Sequence, residues 1–285
     1  MAMSASEIAE ERRRGRFAGV TAIAAGLLFP VGLFWFQIVN NDRPEHNAPA
    51  QLRFFDRHAT ELLISSAIRS AAFALIVFVA LHLYRATKAR NPQLSSVVAV
   101  VGVLGPIVAA IGSLAQAVYL AFAAADYTGR EFQTIDGAKD LTESGLLVVI
   151  VGLSIAGTVA LAFWFVIGSL NAMRVGLLNR FMGVLGVIIG PAFLLGLAPP
   201  VVALWLIAVG VLFLGRWPGG LPPAWEQGEA VPWPSAARGA DEPALEDESG
   251  SHNGEVEPVG PAVRKPQPEP AAKEDSARRK RKRRR

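Results

Sequence analysis

There is no cysteine anywhere in the 285 residues. Disulfides, thiol nucleophiles and thiolate metal ligands are thereby excluded, and the redox state of the compartment leaves no trace. Histidine is almost as scarce: His46, His58, His82 and His252 are too scattered to form an imidazole cluster. No Gly-x-x-x-x-Gly-Lys-Ser/Thr phosphate loop, Gly-x-Ser-x-Gly elbow or His-Glu-x-x-His helix occurs. These gaps argue against ATP-driven work by this chain alone and against hydrolysis by the familiar arrangements. With no acid, base and nucleophile converging, the expectation is a protein that is not an enzyme and holds no cofactor and no metal.

Charge is the next scarcity, and its distribution decides the fold class. Between Phe17 and Arg216 lie six apolar stretches, at about 17–39, 62–84, 97–125, 144–170, 181–198 and 200–215. Apolar runs of ~17–25 residues match a hydrocarbon layer ~30 Å thick. The expected fold is all-α: a polytopic transmembrane bundle of six spans over 17–216, behind a short N-terminal segment, 1–16. The first stretch, about 23 residues, is too long for the ~7–15-residue core of a signal peptide. The last two reach only ~25 Å, and Pro191 and Ala198-Pro199-Pro200 interrupt them. They read either as short tilted spans or as a hairpin that does not fully cross.

The basic residues sort by side. Arg12, Arg13, Arg14, Arg16, Arg85, Lys88, Arg90, Arg174, Arg180 and Arg216 fall in the N-terminal segment, the second and fourth loops and the end of the last span, beside three acids. The first and third loops carry five basic residues against nine acids. Loops rich in arginine and lysine resist translocation. Both termini are therefore expected on the cytoplasmic side of the cell membrane.

The fourth and fifth stretches carry a recognisable run. It comprises Gly145 to Leu170, the turn Asn171-Ala172-Met173-Arg174-Val175-Gly176-Leu177-Leu178-Asn179-Arg180, and Phe181-Met182-Gly183-Val184-Leu185-Gly186. This resembles the closing half of an uncharacterised bacterial six-helix membrane family known only as a domain of unknown function. The resemblance implies a six-helix bundle and supplies no activity, substrate or catalytic residue. A proline expected just before Arg180 is missing. Gly183, Gly186 and Gly190 give the fifth stretch a smooth face suited to helix packing.

Arg69 is the candidate that stands out, seven positions into the second span. A charge at a span centre costs at least ~2.5–3.5 kcal/mol, so it normally faces protein or water and has partners. Glu61, Ser65 and Arg69 share a helical stripe, and Ser113, Gln116 and Tyr119 share another on the third span. Ser154 lies at similar depth on the fourth. Three roles fit Arg69: pairing with Glu61, Asp126, Asp140 or Glu143; snorkelling to the headgroups; or anchoring an anionic ligand in an outer-leaflet pocket lined by Gln116, Tyr119 and Ser154. Asp56-Arg57-His58 reads as the polar entry to the second span, with Asp56 near its N-cap.

From Trp217 onward proline, glycine, alanine and charge dominate, and disorder is expected over 217–285. Trp217, Trp225 and Trp233 suit an interfacial strip skimming the inner leaflet. Seven acids occupy 241–257, and Arg278, Arg279, Lys280, Arg281, Lys282, Arg283, Arg284 and Arg285 end the chain as consecutive cations. Such a run suits anionic lipid headgroups at ~1 kcal/mol each, ahead of self-association with the acidic segment. Nucleic acid ranks last, because no folded reader accompanies the run. The expected partners are thus the bilayer and its anionic headgroups, with oligomeric state open. Two functions compete: a small transporter-like or ligand-binding bundle, or a membrane scaffold whose tail recruits lipid or a protein.

Overall fold

The computed structural model describes residues 3–196 and 199–232. Nine helices make up the described residues: α1 (Ala5–Asn40), α2 (Ala48–Arg57), α3 (Ala59–Arg90), α4 (Val97–Thr128), α5 (Ile135–Thr142), α6 (Gly145–Arg174), α7 (Arg180–Leu194), α8 (Pro199–Phe213) and α9 (Pro223–Gln227). Their starts follow from short polar side chains that accept from orphaned N–H groups of the first turn. Asn47 caps α2, Thr134 caps α5, Ser144 caps α6 and Asn179 caps α7. Ser4 opens α1 in a reciprocal box with Glu7.

The long helices close into a ring in the order α1, α3, α4, α6, α7, α8 and back to α1. Its inward positions carry Phe29, Phe73, Phe165 and Trp205, with Phe29–Phe73 centroids 5.6 Å apart and Phe165–Trp205 5.4 Å apart. The Trp205 indole N–H donates to the Met182 carbonyl at 2.9 Å, tying α8 to α7. Elsewhere small residues set the spacing. A Cβ on Gly105 would stand 2.8 Å from the Leu161 backbone nitrogen, so α4 and α6 touch backbone to backbone. On α7, Gly190 meets the Ala162 carbonyl of α6, while Gly183 and Gly186 make room for the side chains of Met173 and Ser169.

The outward positions are large and apolar. Val20, Leu27, Val31 and Phe34 of α1 are exposed, as are Val100, Leu104 and Ile111 of α4 and Val148, Val149 and Ile155 of α6. Contiguous apolar surface on this scale is foreign to a water-soluble monomer. Four helical stretches are long and apolar enough to cross a membrane, ending at Asn40, Arg90, Thr128 and Arg174. The protein is membrane-embedded. The remaining two ring members, α7 and α8, have 15 residues each, about 22 Å of helix. Six full-length spans are thus not reached: four helices meet the length and two fall short.

The loops and the C-terminal segment differ from the expectation, while Asp56 does lie near the N-cap of α3, two residues before it. The first and third loops are not plain connections, because each contains a helix, α2 and α5. These pack over the end of α4 around Leu52, Phe54, Phe55, Tyr127 and Ala138. The N-cap position of α3 is held by His58, whose ring lies against Phe54. Nor does disorder set in at Trp217. Residues through 232 fold back on the opposite end of the bundle, where Trp225 is buried and donates to the Leu177 carbonyl at 2.9 Å. An indole with a hydrogen-bonded N–H and a stacked neighbour, His82 at 5.9 Å, is anchored in protein rather than skimming lipid. Trp233, the acidic segment 241–257 and the cationic run 278–285 lie outside the described residues.

Candidate functional site

Where α1 ends and α3 begins, the ring opens into a cavity of about 120 Å³ bounded by α1, α2, α3 and α4. Its position follows from helix geometry. Ser66 and Arg69 are three apart on α3, and Ser113, Gln116, Ala117 and Leu120 follow a 3–4 spacing on α4, so each set lines one face. Gly32 lets α1 close on α3 at that level, since a Cβ there would be 3.1 Å from the Arg69 backbone nitrogen. Phe36 and Asn40 complete the wall from the last turns of α1, and Arg43 and Phe55 join it from the connection and α2.

The Arg69 side chain is held inside this wall. Its Nε donates to Ser113 Oγ at 3.1 Å and its Nη2 to Ser66 Oγ at 3.4 Å, while the guanidinium carbon lies 4.9 Å from the Phe36 ring centre. A guanidinium has five N–H donors, and the other three have no protein acceptor among the described residues. Arg43 is exposed, donates to Gln51 Oε1 at 3.3 Å and stacks over Phe55 at 5.0 Å. Among the described residues no aspartate or glutamate lines the cavity. Two positive groups therefore face a space without a counter-charge.

The ion pairs among the described residues are Arg14–Glu10, Arg90–Glu11 and Arg130–Asp126. Arg69 is in none of them, so pairing with Glu61, Asp126, Asp140 or Glu143 is overturned. The inward pins to Ser113 and Ser66 equally disagree with a side chain stretched toward headgroups.

Of the four residues singled out by sequence, Arg69 and Gln116 share the cavity and two do not. The Tyr119 hydroxyl donates to the Leu141 carbonyl at 2.9 Å and meets Ser144 Oγ, which binds α4 to the α5–α6 junction. Ser154 is spent on packing, with its Cβ 2.8 Å from where a Cβ on Gly112 would lie. Of the stripe Glu61, Ser65 and Arg69 only Arg69 lines the cavity, and the Ser65 hydroxyl donates to the Leu62 carbonyl within its own helix.

Sequence reasoning missed much of the wall, including Phe36, Asn40, Arg43, Phe55 and Ser66. Asn40 carries an anomaly. Its Nδ2 donates to the Phe36 carbonyl at 2.9 Å, but its Oδ1 is buried with no partner. A buried acceptor left unpaired costs about 1–3 kcal/mol.

A larger cavity of about 450 Å³ lies between α1 and α3 at the other end, lined by Glu7, Glu10, Glu11, Arg14, His82 and Arg85 among others. There the acids are already engaged, Glu10 by Arg14, Glu11 by Arg90 and Glu7 by Ser4. Its other cation, Arg85, is exposed rather than held inside the wall as Arg69 is.

Residues 17–217 match the family described as Domain of unknown function (DUF4386). The chain belongs to this family. No curated protein and no solved structure matches it. The DUF4386 region contains the whole Arg69 cavity and stops short of α9, so Trp225 and its contacts lie beyond the family match.

Proposed function

We propose that this DUF4386 protein is a non-enzymatic membrane bundle, ligand-binding or transporter-like, whose cavity receives an anion on Arg69 from the outer leaflet. The supporting observation is a guanidinium inside an apolar wall with most of its N–H groups unused and no carboxylate in reach. A charge so placed usually faces a ligand, water or a partner. In this reading α7 and α8 cross as short tilted helices, which makes six spans, and both termini are cytoplasmic by the arginine and lysine bias. The cavity then faces outward, beneath the α2–α5 cover.

Because the chain has no cysteine, one introduced thiol reports on the site alone. Gln116→Cys in intact cells is expected to react faster with a negatively charged methanethiosulfonate than with a positively charged one. Arg69→Leu in the same background is expected to erase that preference, and Arg69→Lys to retain part of it. A thiol inert from outside, or one indifferent to reagent charge, refutes the proposal.

A further inference from the structure

We infer that the anion is the small headgroup of an anionic phospholipid, which enters sideways from the outer leaflet and leaves its acyl chains in the bilayer. The inference rests on the anion reading above and adds where the cavity opens. Glycine contacts set the levels of the helices. Gly26 of α1 meets the Ala203 carbonyl and the Ile207 backbone nitrogen of α8. Counted back to Pro199 at ~1.5 Å per residue, α8 begins about level with Gly32. Gly32 is where α1 meets the Arg69 backbone. The Arg69 side chain leans from there toward the start of α3, reaching Ser66. The α1 residues of the wall, Phe36 and Asn40, lie ~6–12 Å beyond Gly32 in the same direction. The end of α7 is short as well. Gly190 meets Ala162 of α6 and Leu194 ends α7 one turn later, whereas Gly112, beside Ser113 of the wall, meets Ser154. Among the described residues, none from α6, α7 or α8 lines the cavity.

On that side the ring is open between α1 and α6. The α6 stripe that α7 covers runs through Ser169 and Ala162. Its continuation at the same seven-residue spacing, Ile155 and Val148, is exposed because α7 has ended. Phe34 and Ile38 of α1 are exposed beyond the start of α8. The gap is therefore apolar along its sides and cationic at its inner end, where Arg69 and Arg43 join the wall. Below Arg69 the interior is filled by Phe29, 5.6 Å from Phe73 and 5.7 Å from Phe193 of α7. Arg43 is exposed, so the outer end of the opening lies at headgroup depth, within reach of water. A free hydrophilic anion gains nothing from apolar sides, whereas an anionic amphiphile matches both parts of the gap. The cavity is about 120 Å³, and an apolar cavity of ~150 Å³ takes benzene. It thus holds a small headgroup, and the chains lie outside against α1 and α6.

The test uses the full chain carrying Gln116→Cys in phosphatidylcholine nanodiscs. The label is N-ethylmaleimide, which is uncharged, so surface potential does not enter the rate. Admixed phosphatidic acid is expected to slow labelling at least about fivefold, by occupying the site in proportion to its concentration over its dissociation constant. Glycerol 3-phosphate, the same headgroup without chains, is expected to give no protection at millimolar concentration. Arg69→Leu should abolish the protection by phosphatidic acid, and Arg69→Lys should keep part of it. Gln133→Cys, exposed ahead of α5, should label at one rate in both kinds of disc. Protection by glycerol 3-phosphate as strong as by phosphatidic acid overturns the lipid inference and leaves the anion site standing. Protection by neither overturns it as well, and the reagent-charge preference of Gln116→Cys then judges the anion site separately. Slowing that survives Arg69→Leu, or that Gln133→Cys shares, also overturns it, since the lipid then acts without the site.

Discussion

Arg90→Ala should destabilise the bundle more than any other single loss of a charged group described here. The Arg90 side chain is fully buried and the Glu11 side chain is 10% exposed, with Nη1 and Nη2 donating to the two carboxylate oxygens at 2.8 and 2.9 Å. Nε donates to the Ala224 carbonyl and Nη1 also to Ala86, both at 2.9 Å. One side chain thus fastens α1, α3 and the α9 segment together. Removing one partner of a buried pair costs about 3–5 kcal/mol, because the survivor is left uncompensated. Slight exposure lets water reach Glu11 and favours the lower half of that range, while the abandoned Ala224 carbonyl adds about 1 kcal/mol. Together these give a loss of about 4–5 kcal/mol. At ~2–4 °C per kcal/mol for a chain of this size, melting followed by tryptophan fluorescence in mild detergent should fall by about 8–20 °C. Residues 217–232 should become cleavable by protease at the same time. The double variant Glu11→Ala, Arg90→Ala should recover part of the loss, since no unpaired charge remains. A shift under about 2 °C, or a double variant as unstable as the two single effects summed, refutes the reasoning.

Other consequences can be measured in the same preparations. Gly105→Val places a branched side chain against the Leu161 backbone, 2.8 Å from its Cβ position, and should cost at least ~1–3 kcal/mol by overpacking. Gly152→Ala has nothing within 4 Å of the new methyl and should be neutral or stabilising by up to ~1 kcal/mol of helix propensity. Tyr119→Phe gives up the Leu141 and Ser144 bonds and should lose about 1 kcal/mol of stability, with the reagent-charge preference of Gln116→Cys unchanged. Acidification should fray the first turn of α1: the Ser4 backbone N–H, then its hydroxyl, hold Glu7 below its ordinary value of 4.5. A depressed carboxylate contributes stability above its unfolded value and loses it as pH falls through the folded one. Amide exchange at Ser4–Glu7 should therefore speed up below about pH 4.5, and Glu7→Gln should flatten that dependence.

Much of the architecture was legible in the sequence because lipid imposes a one-dimensional rule: apolar length sets the span. That rule located the four long helices, and glycine spacing located the α7 face that packs on α6. It is silent about short amphipathic elements, so α2 and α5 were taken for loops. Proline and glycine around Trp225 read as disorder because composition cannot register a single indole finding a buried slot beside His82 and Phe213. Within the site, Arg69 announced itself as a charge where charge is costly. Asn40 and Arg43 sit where the first span exits into polar sequence and carried no such signal. Tyr119 was placed by the helical face it shares with Ser113 and Gln116 and Ser154 by depth, and neither rule says whether a side chain one turn further along still meets the cavity or a neighbouring helix.

The two interior arginines of α3 show how a structural guanidinium differs from one left open. Arg90 distributes four donated bonds over a carboxylate and two carbonyls, each of which can only accept. Its surroundings are complete, and nothing from outside the chain has room to improve them. Arg69, twenty-one residues earlier on the same helix, bonds only to two serine hydroxyls, one of them at 3.4 Å. Hydroxyls are neutral and satisfy a cation poorly compared with an ionised acceptor. If packing were the whole role of Arg69, Glu61 of the same helix would be expected to swing toward it, as Glu11 does toward Arg90, yet no acid among the described residues lines the cavity. The Arg69 guanidinium therefore faces the cavity with its bonding incomplete among the described residues.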